Sequence, residues 1–187
     1  MEKSDKKILL ELARDSIKTY FQHKKPSMEK AAKFSQKQGV FVTLHKKNGD
    51  LRGCIGFPMP VYPLNMAVVE AARSAAFHDP RFPPLEAKEL ADIVVEISVL
   101  TLPEEIKVER YQEYLEKIKI GEDGLIIQGN FSSGLLLPQV ATENNFNVST
   151  FLNCLCQKAG MGFNSWKDLN NKISKFQAIV FNEKQMQ

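Results

Sequence analysis

The sequence predicts an α+β protein: a larger antiparallel sheet flanked by helices, with a smaller α+β subdomain inserted before the last strand. Three observations carry this. Apolar residues near the N-terminus recur at spacings of three and four, the period of a helix. They alternate at Val40–Leu44 and at Ile93–Val99, the period of a half-buried strand. Asn48-Gly49, between two alternating runs, marks a hairpin.

Taken in order, Ser4 and Asp5 precede a stripe of Leu9, Leu12, Ala13, Ile17, Tyr20 and Phe21. His23, Lys24 and Lys25 close this first helix and Pro26 stops it. Ser27 is placed to cap a second, short helix through Phe34. The hairpin follows. With Asn48-Gly49 as a two-residue type I′ turn, Lys47 faces Asp50, His45 faces Arg52, Thr43 faces Cys54 and Phe41 faces Gly56. The opposite side carries Val40, Val42, Leu44, Leu51, Ile55 and Phe57, and is the apolar one. Pro58, Pro60 and Pro63 stiffen the loop into the next helix, whose stripe is Leu64, Val68, Ala71, Ala72 and Ala75. The stretch His78–Leu85 holds three prolines and is neither helix nor central strand. A short helix at Glu86–Ala91 and a long strand from Ile93 toward Pro103 complete this part.

From Glu104 the texture changes. A helix with Tyr111, Tyr114, Leu115 and Ile118 leads to three apolar runs, Ile118–Ile120, Leu125–Gln128 and Leu135–Leu137, which read as a three-stranded meander. Pro138 and Asn147 start two helices, the second ending at Gly160. Ile173–Phe181 reads as one terminal strand beside the hairpin and the Ile93 strand. The expected organisation is residues 1–103 plus 172–187 as the larger subdomain and 104–171 as the smaller one.

Composition narrows the function classes. The chain has 187 residues, 43% apolar and 25% charged, which suits a folded protein and excludes a disordered one. A net charge of +3 is too small to favour nucleic acid as partner. No unbroken apolar run exceeds four residues, so no membrane helix is expected. The polar first residues do not resemble a secretory signal. Three cysteines, Cys54, Cys154 and Cys156, without a Cys-x-x-Cys pair suit neither a disulfide framework nor a Cys-rich zinc site. A cytoplasmic location with reduced thiols is expected, and no cofactor. The phosphate-loop, dinucleotide-fingerprint and serine-hydrolase motifs do not occur.

Leu51-Arg-Gly-Cys-Ile-Gly56 is the most informative segment. Gly53 and Gly56 within a strand mark a bulge or a close approach by ligand or backbone. Cys54 lies between them, and Arg52, two residues away, would favour its thiolate. The duller reading is a small packed Cys with Arg52 paired to a carboxylate. His78-Asp79-Pro80-Arg81 is the second constellation: His78 as a base and Arg81 as an anion contact, or simply a helix end followed by a turn. His45 reads as a solvated strand residue. Cys154 and Cys156 point about 200° apart on a helix and do not chelate together.

The Leu51–Gly56 segment resembles the signature of the AMMECR domain family. The resemblance continues through Asp79-Pro-Arg-Phe-Pro-Pro-Leu85, Glu96-Ile-Ser-Val-Leu100, Ile120-Gly-Glu-Asp-Gly-Leu125, Gly134-Leu-Leu-Leu-Pro-Gln-Val-Ala141, Cys156-Gln-Lys-Ala-Gly160, Trp166 and Phe176-Gln-Ala-Ile-Val-Phe181. It implies a two-part α+β fold with a groove between the parts that holds the motif. It implies no established activity. Some relatives are encoded beside, or fused to, Memo-like and radical-SAM proteins, which makes such proteins possible partners. The iron–sulfur Cys triad of radical chemistry does not occur in this chain.

Two functions remain open. One is a groove-type binding site for a small molecule, peptide or partner protein, formed by Arg52, Gly53, Cys54, Gly56 and Arg81. The alternative is a thiol-dependent enzyme or enzyme subunit using Cys54, with Arg52 stabilising the thiolate and His78 as base.

Overall fold

The computed structural model describes residues 1–186. The fold is α+β, and the chain divides into two compact units: Met1–Leu100 with the segment from Ile179 onward, and Thr101–Ala178.

In the first unit, helix α1 (Lys3–Phe21) and helix α2 (Leu64–Phe77) cover one face of a sheet ordered β2-β1-β3-β8. Its strands are β1 (Val40–Lys46), β2 (Leu51–Phe57), β3 (Ile93–Leu100) and β8 (Ala178–Asn182). Alternation does the sorting. Val40, Val42 and Leu44 of β1 and Val95, Ile97 and Val99 of β3 are fully buried against Leu9, Ile17, Val68 and Ala72 of the helices. The intervening Phe41, Thr43, His45, Val94, Glu96 and Ser98 occupy the outer face and are half-buried. Arg14 of α1 ties the C-terminal turn to the sheet: it pairs with Glu183 and donates to Leu90 O and Ile93 O at 2.8 and 2.9 Å, while Glu183 accepts the Val95 amide at 2.8 Å.

The segment after Pro26 is not the short helix its sequence suggests. Met28–Phe34 forms successive three-residue turns, Ala31 N–H to Met28 O and Phe34 N–H to Ala31 O. Asn65 holds the far end of the segment: its side chain donates to Ala31 O at 3.1 Å and its amide donates to Phe34 O at 3.1 Å, carbonyls that a helix ending at Phe34 would also leave without an internal partner. So few residues do not recover the cost of helix nucleation.

The second unit has its own sheet, β4-β7-β5-β6, built from β4 (Glu104–Glu105), β5 (Gly124–Gln128), β6 (Ser133–Leu136) and β7 (Lys172–Phe176). Three short helices belong to it, α3 (Tyr114–Lys117), α4 (Pro138–Glu143) and α5 (Val148–Lys158). Phe151, Leu152, Leu155 and Cys156 of α5 pack with Leu125, Ile127, Ile173 and Trp166 into a second core. The Asn147 side chain caps α5 by accepting the Thr150 amide at 2.9 Å.

Two expectations change here. Ile118–Ile120 is not a strand; it runs from the end of α3 into a turn that closes on Asp123, and the expected meander's place is taken by β7. Asp123, fully buried, accepts the Lys119 amide at 2.9 Å and receives Lys175 Nζ and Gln177 Nε2 at 3.4 Å. The single terminal strand is in fact two. Residues 172–176 pair with β5 and residues 178–182 join β3, with Gln177 between them. Gln177 exchanges bonds with Thr101, donating its amide to Thr101 Oγ1 and accepting the Thr101 amide, each at 2.8 Å. Backbone groups at this break are therefore paired, so the strand can change sheets without orphaned donors.

Candidate functional site

The β1–β2 hairpin presents the Leu51–Gly56 segment. Its turn differs from expectation. Asn48 does not have positive φ whereas Gly49 has φ +99°, and Gly49 N–H donates to Lys46 O at 2.9 Å. This is a three-residue Lys47-Asn48-Gly49 loop in which glycine supplies the left-handed position, and Lys46 faces Asp50. Beyond it, His45 pairs with Leu51 and Leu44 with Gly53, leaving Arg52 as the extra residue of a β-bulge. The turn removes one residue and the bulge restores it. Thr43 therefore faces Cys54, Val42 faces Ile55 and Phe41 faces Gly56, as the sequence predicts, while His45 does not face Arg52. Leu51, opposite His45, is 37% exposed and is not part of the apolar face.

The bulge decides where Arg52 goes. Its side chain is only 6% exposed and forms a bidentate pair with Glu89, Nε to Oε1 at 2.8 Å and Nη2 to Oε2 at 3.0 Å. The pairing raises the Arg52 pKa and brings Glu89 down to about 2, the Arg52 hydrogen bond outweighing the desolvation of Glu89. Among the described residues this guanidinium donates to Glu89 alone, and its Nη1 is buried without a partner.

Both glycines are required by protein packing. A Cβ on Gly53 would lie far inside 3.0 Å of Ala75 O, on the backbone of α2. One on Gly56 would strike Val40 O and sit 2.5 Å from the Phe41 ring. The close approach that the glycines signal is therefore that of the helix and the neighbouring strand.

Cys54 is half-buried, and three other side chains meet it. Thr43 Oγ1 lies 3.2 Å from Sγ across the strand pair. Asp79 Oδ2 accepts the Cys54 amide at 2.8 Å, and Arg81 Nη2 donates to Cys54 O at 3.2 Å. Asp79 is the organiser. With a side chain 2% exposed, it also accepts Arg81 N and Nε on Oδ1 at 3.1 and 3.0 Å and Arg81 Nη2 on Oδ2 at 2.7 Å. The Arg81 guanidinium holds this carboxyl far below the usual carboxylate range against the opposing effect of burial, and the Cys54 and Arg81 amides add to it. In return Asp79 raises the Arg81 pKa, with a smaller contribution from Cys54. Arg81 remains 54% exposed, and among the described residues its Nη1 has no partner.

His78 caps the end of α2, where its amide donates to Ser74 O at 2.9 Å; its imidazole is exposed and makes no hydrogen bond to Cys54 among the described residues. The structure thus brings Cys54 and Arg81 together and commits Arg52 elsewhere. Two participants, Asp79 and Thr43, are not among the candidate site residues that the sequence offers. Asp79 reads as a turn former, and its Asx-type bond to the Arg81 amide is indeed that of a turn. Thr43 was legible through the hairpin register. Glu96, the β3 partner of Thr43, sits 3.6 Å from His45 Nε2 and 3.4 Å from Asn182 Nδ2, a pairing that depends on strand order. Among the described residues no three or more His, Cys, Asp or Glu groups converge as metal ligands, and no helix is long and apolar enough to cross a membrane.

Comparison with known proteins identifies the lineage of this arrangement. The chain is 50% identical over 173 residues to protein MJ0810 of Methanocaldococcus jannaschii, covering 91% of this chain and 86% of that one. It is 46% identical over 175 residues to protein Ta0236 of Thermoplasma acidophilum, covering 92% and 84%. Its fold matches the crystal structure of the uncharacterized protein PH0010 from Pyrococcus horikoshii with a TM-score of 0.83 at 41% identity, over 98% of this chain and 94% of the other. The AMMECR1 family model matches residues 10–181, the span that includes both sheets and the Cys54–Asp79–Arg81 cluster, and the chain belongs to the AMMECR1 family.

Proposed function

We propose that the chain is a binding protein whose site lies on the outer side of β2 at Cys54, and that it takes a ligand bearing a carboxylate or phosphate. The observation that supports this reading is the state of Arg81. A buried, ionised Asp79 fixes the Nε and Nη2 edge of the guanidinium, while the Arg81 side chain as a whole stays about half exposed. A guanidinium oriented in advance loses less freedom on binding and presents planar donors that suit a carboxylate or phosphate. Gly53 and Gly56 contribute by letting α2 and β1 close on the strand, which holds the Cys54 backbone in place.

The test is a thermal-shift panel of inorganic phosphate, nucleoside monophosphates and small mono- and dicarboxylates. An anion present at a hundred times its dissociation constant stabilises the native state by about 2.7 kcal/mol. That corresponds to a rise in Tm of about 5–10 °C for a chain of this size. The rise is expected in the wild type and absent in Arg81→Met. Shifts equal in both proteins, or no shift with any of these anions, would overturn the proposal.

A further inference from the structure

The second unit has a cavity of its own, about 220 Å³, walled by residues of β4, β7, α3 and the turn after Trp166. That is the space of about seven waters, at ~30 Å³ each in the liquid. Glu105, Lys107 and Lys172 bring charge to its lining, Val108 and Leu169 bring apolar surface, and Tyr114 reaches it from the second core.

Tyr114 is the informative residue. It is only 3% exposed, and a buried tyrosine hydroxyl usually has a partner. Among the described residues this hydroxyl makes no hydrogen bond, yet it is not sealed in: the one fully enclosed side-chain polar atom without a partner is Arg52 Nη1. The hydroxyl therefore opens on the cavity that the Tyr114 side chain lines. Burial, with a smaller push from the Glu105 charge, raises the Tyr114 pKa, so the group keeps its proton and stays a donor.

Strand register sets the charges beside it. Glu105 of β4 faces Ser174 of β7, and Lys172 lies two residues along on the same strand face. Lys172 Nζ is 3.6 Å from Glu105 Oε2, and the two side chains are 65% and 46% exposed. Such a loose, solvated pair contributes little to stability and leaves the ammonium free to turn to a ligand. With Lys107 the lining carries two cations against one carboxylate. Leu169, 44% exposed, leaves an apolar wall uncovered.

We propose that this cavity binds a small monocarboxylate with a short branched or aromatic body. The carboxylate accepts hydrogen bonds from the Tyr114 hydroxyl and the Lys172 ammonium, and the body lies against Val108 and Leu169. A net positive lining and an unspent neutral donor favour a carboxylate over an amine. The volume is below the ~300 Å³ at which pockets for drug-sized ligands begin, so the occupant is smaller than a nucleotide or a peptide. All of these residues belong to the second unit, so the inference does not rest on the reading of Arg81.

The test is a ¹⁵N-HSQC titration of the whole chain with isovalerate, phenylacetate and, as the cationic counterpart, isoamylamine, each at millimolar concentration. The two acids are expected to shift the Glu105–Val108 and Leu169–Lys172 amides saturably, and isoamylamine to leave them in place. Tyr114→Phe removes a hydroxyl that has no protein partner, so its Tm should match the wild type. Its Kd for the acids should rise about tenfold, the value of one hydrogen bond to a charged group. Lys172→Met weakens binding as well, and Arg81→Met leaves these shifts unchanged. An equal Kd in Tyr114→Phe, no acid-induced shift at these amides, or equal binding of isoamylamine would overturn the inference. Acid binding lost in Arg81→Met and kept in Tyr114→Phe would also overturn it while sustaining the site at Cys54; the opposite pattern would sustain this cavity alone.

Discussion

Gly53→Ala separates the two reasons for a glycine beside Cys54. The φ of Gly53 is not in the left-handed region, so the backbone itself accepts alanine. On that ground alone the substitution would stabilise the protein by about 0.4–1 kcal/mol, through reduced freedom of the unfolded chain. The contact with α2 reverses the sign. The new methyl would lie far inside 3.0 Å of the Ala75 carbonyl oxygen and 3.1 Å from its carbon, and both are helix backbone that no rotamer change can move. The strand and helix must part by on the order of 1 Å, which loosens the contacts of Ala71, Ala72 and Ala75 with the sheet. Overpacking of this kind costs about 3 kcal/mol, and Tm should fall by about 6–12 °C. Thermal melts and urea titrations followed by far-UV circular dichroism measure this directly. Gly160→Ala is the control: its φ is +71° and a Cβ there meets nothing within 4 Å, so backbone strain of about 1 kcal/mol is its whole cost. A Gly53→Ala protein as stable as wild type would refute the reasoning and would return the glycine to a ligand.

Two further outcomes test the scaffold. Glu89 has its folded-state pKa lowered to about 2 by Arg52, so it adds stability above its unfolded pKa of about 4.5 and loses it as pH falls toward 2. Allowing for its partial exposure, the contribution is about 2 kcal/mol. Acid titration of ΔG by urea unfolding should show this decline in the wild type and a shallower one in Glu89→Gln; parallel curves would remove the pair from the stability account. Asn147→Ala removes the α5 cap on the Thr150 amide and should cost about 1 kcal/mol in equilibrium denaturation, with Asn147→Asp close to wild type; equal losses in both would show that the cap contributes nothing.

Local patterns determined much of this protein. The period of the apolar residues marked α1, α2, β1 and β3, and alternation along β1 named Val40, Val42 and Leu44 as core. The Cys54–Thr43 pairing follows from a two-residue Asn48-Gly49 turn, and it holds in the structure because the three-residue turn and the bulge at Arg52 cancel in register. The ordered motifs from Leu51 to Phe181 were enough to indicate the family. Tertiary structure decided the rest, in each case because a partner far away in sequence satisfied a group. Asn65 took the end carbonyls of the Met28–Phe34 segment and fixed its successive turns against α2. Thr101 paired with Gln177 and so allowed Ile173–Phe181 to divide between two sheets. Glu89 drew Arg52 away from the thiol, whereas Asp79 brought Arg81 to it. Residue type and spacing state which groups need partners, but the choice among carboxylates dozens of residues away is made by the packing of α2 and its following loop against β2.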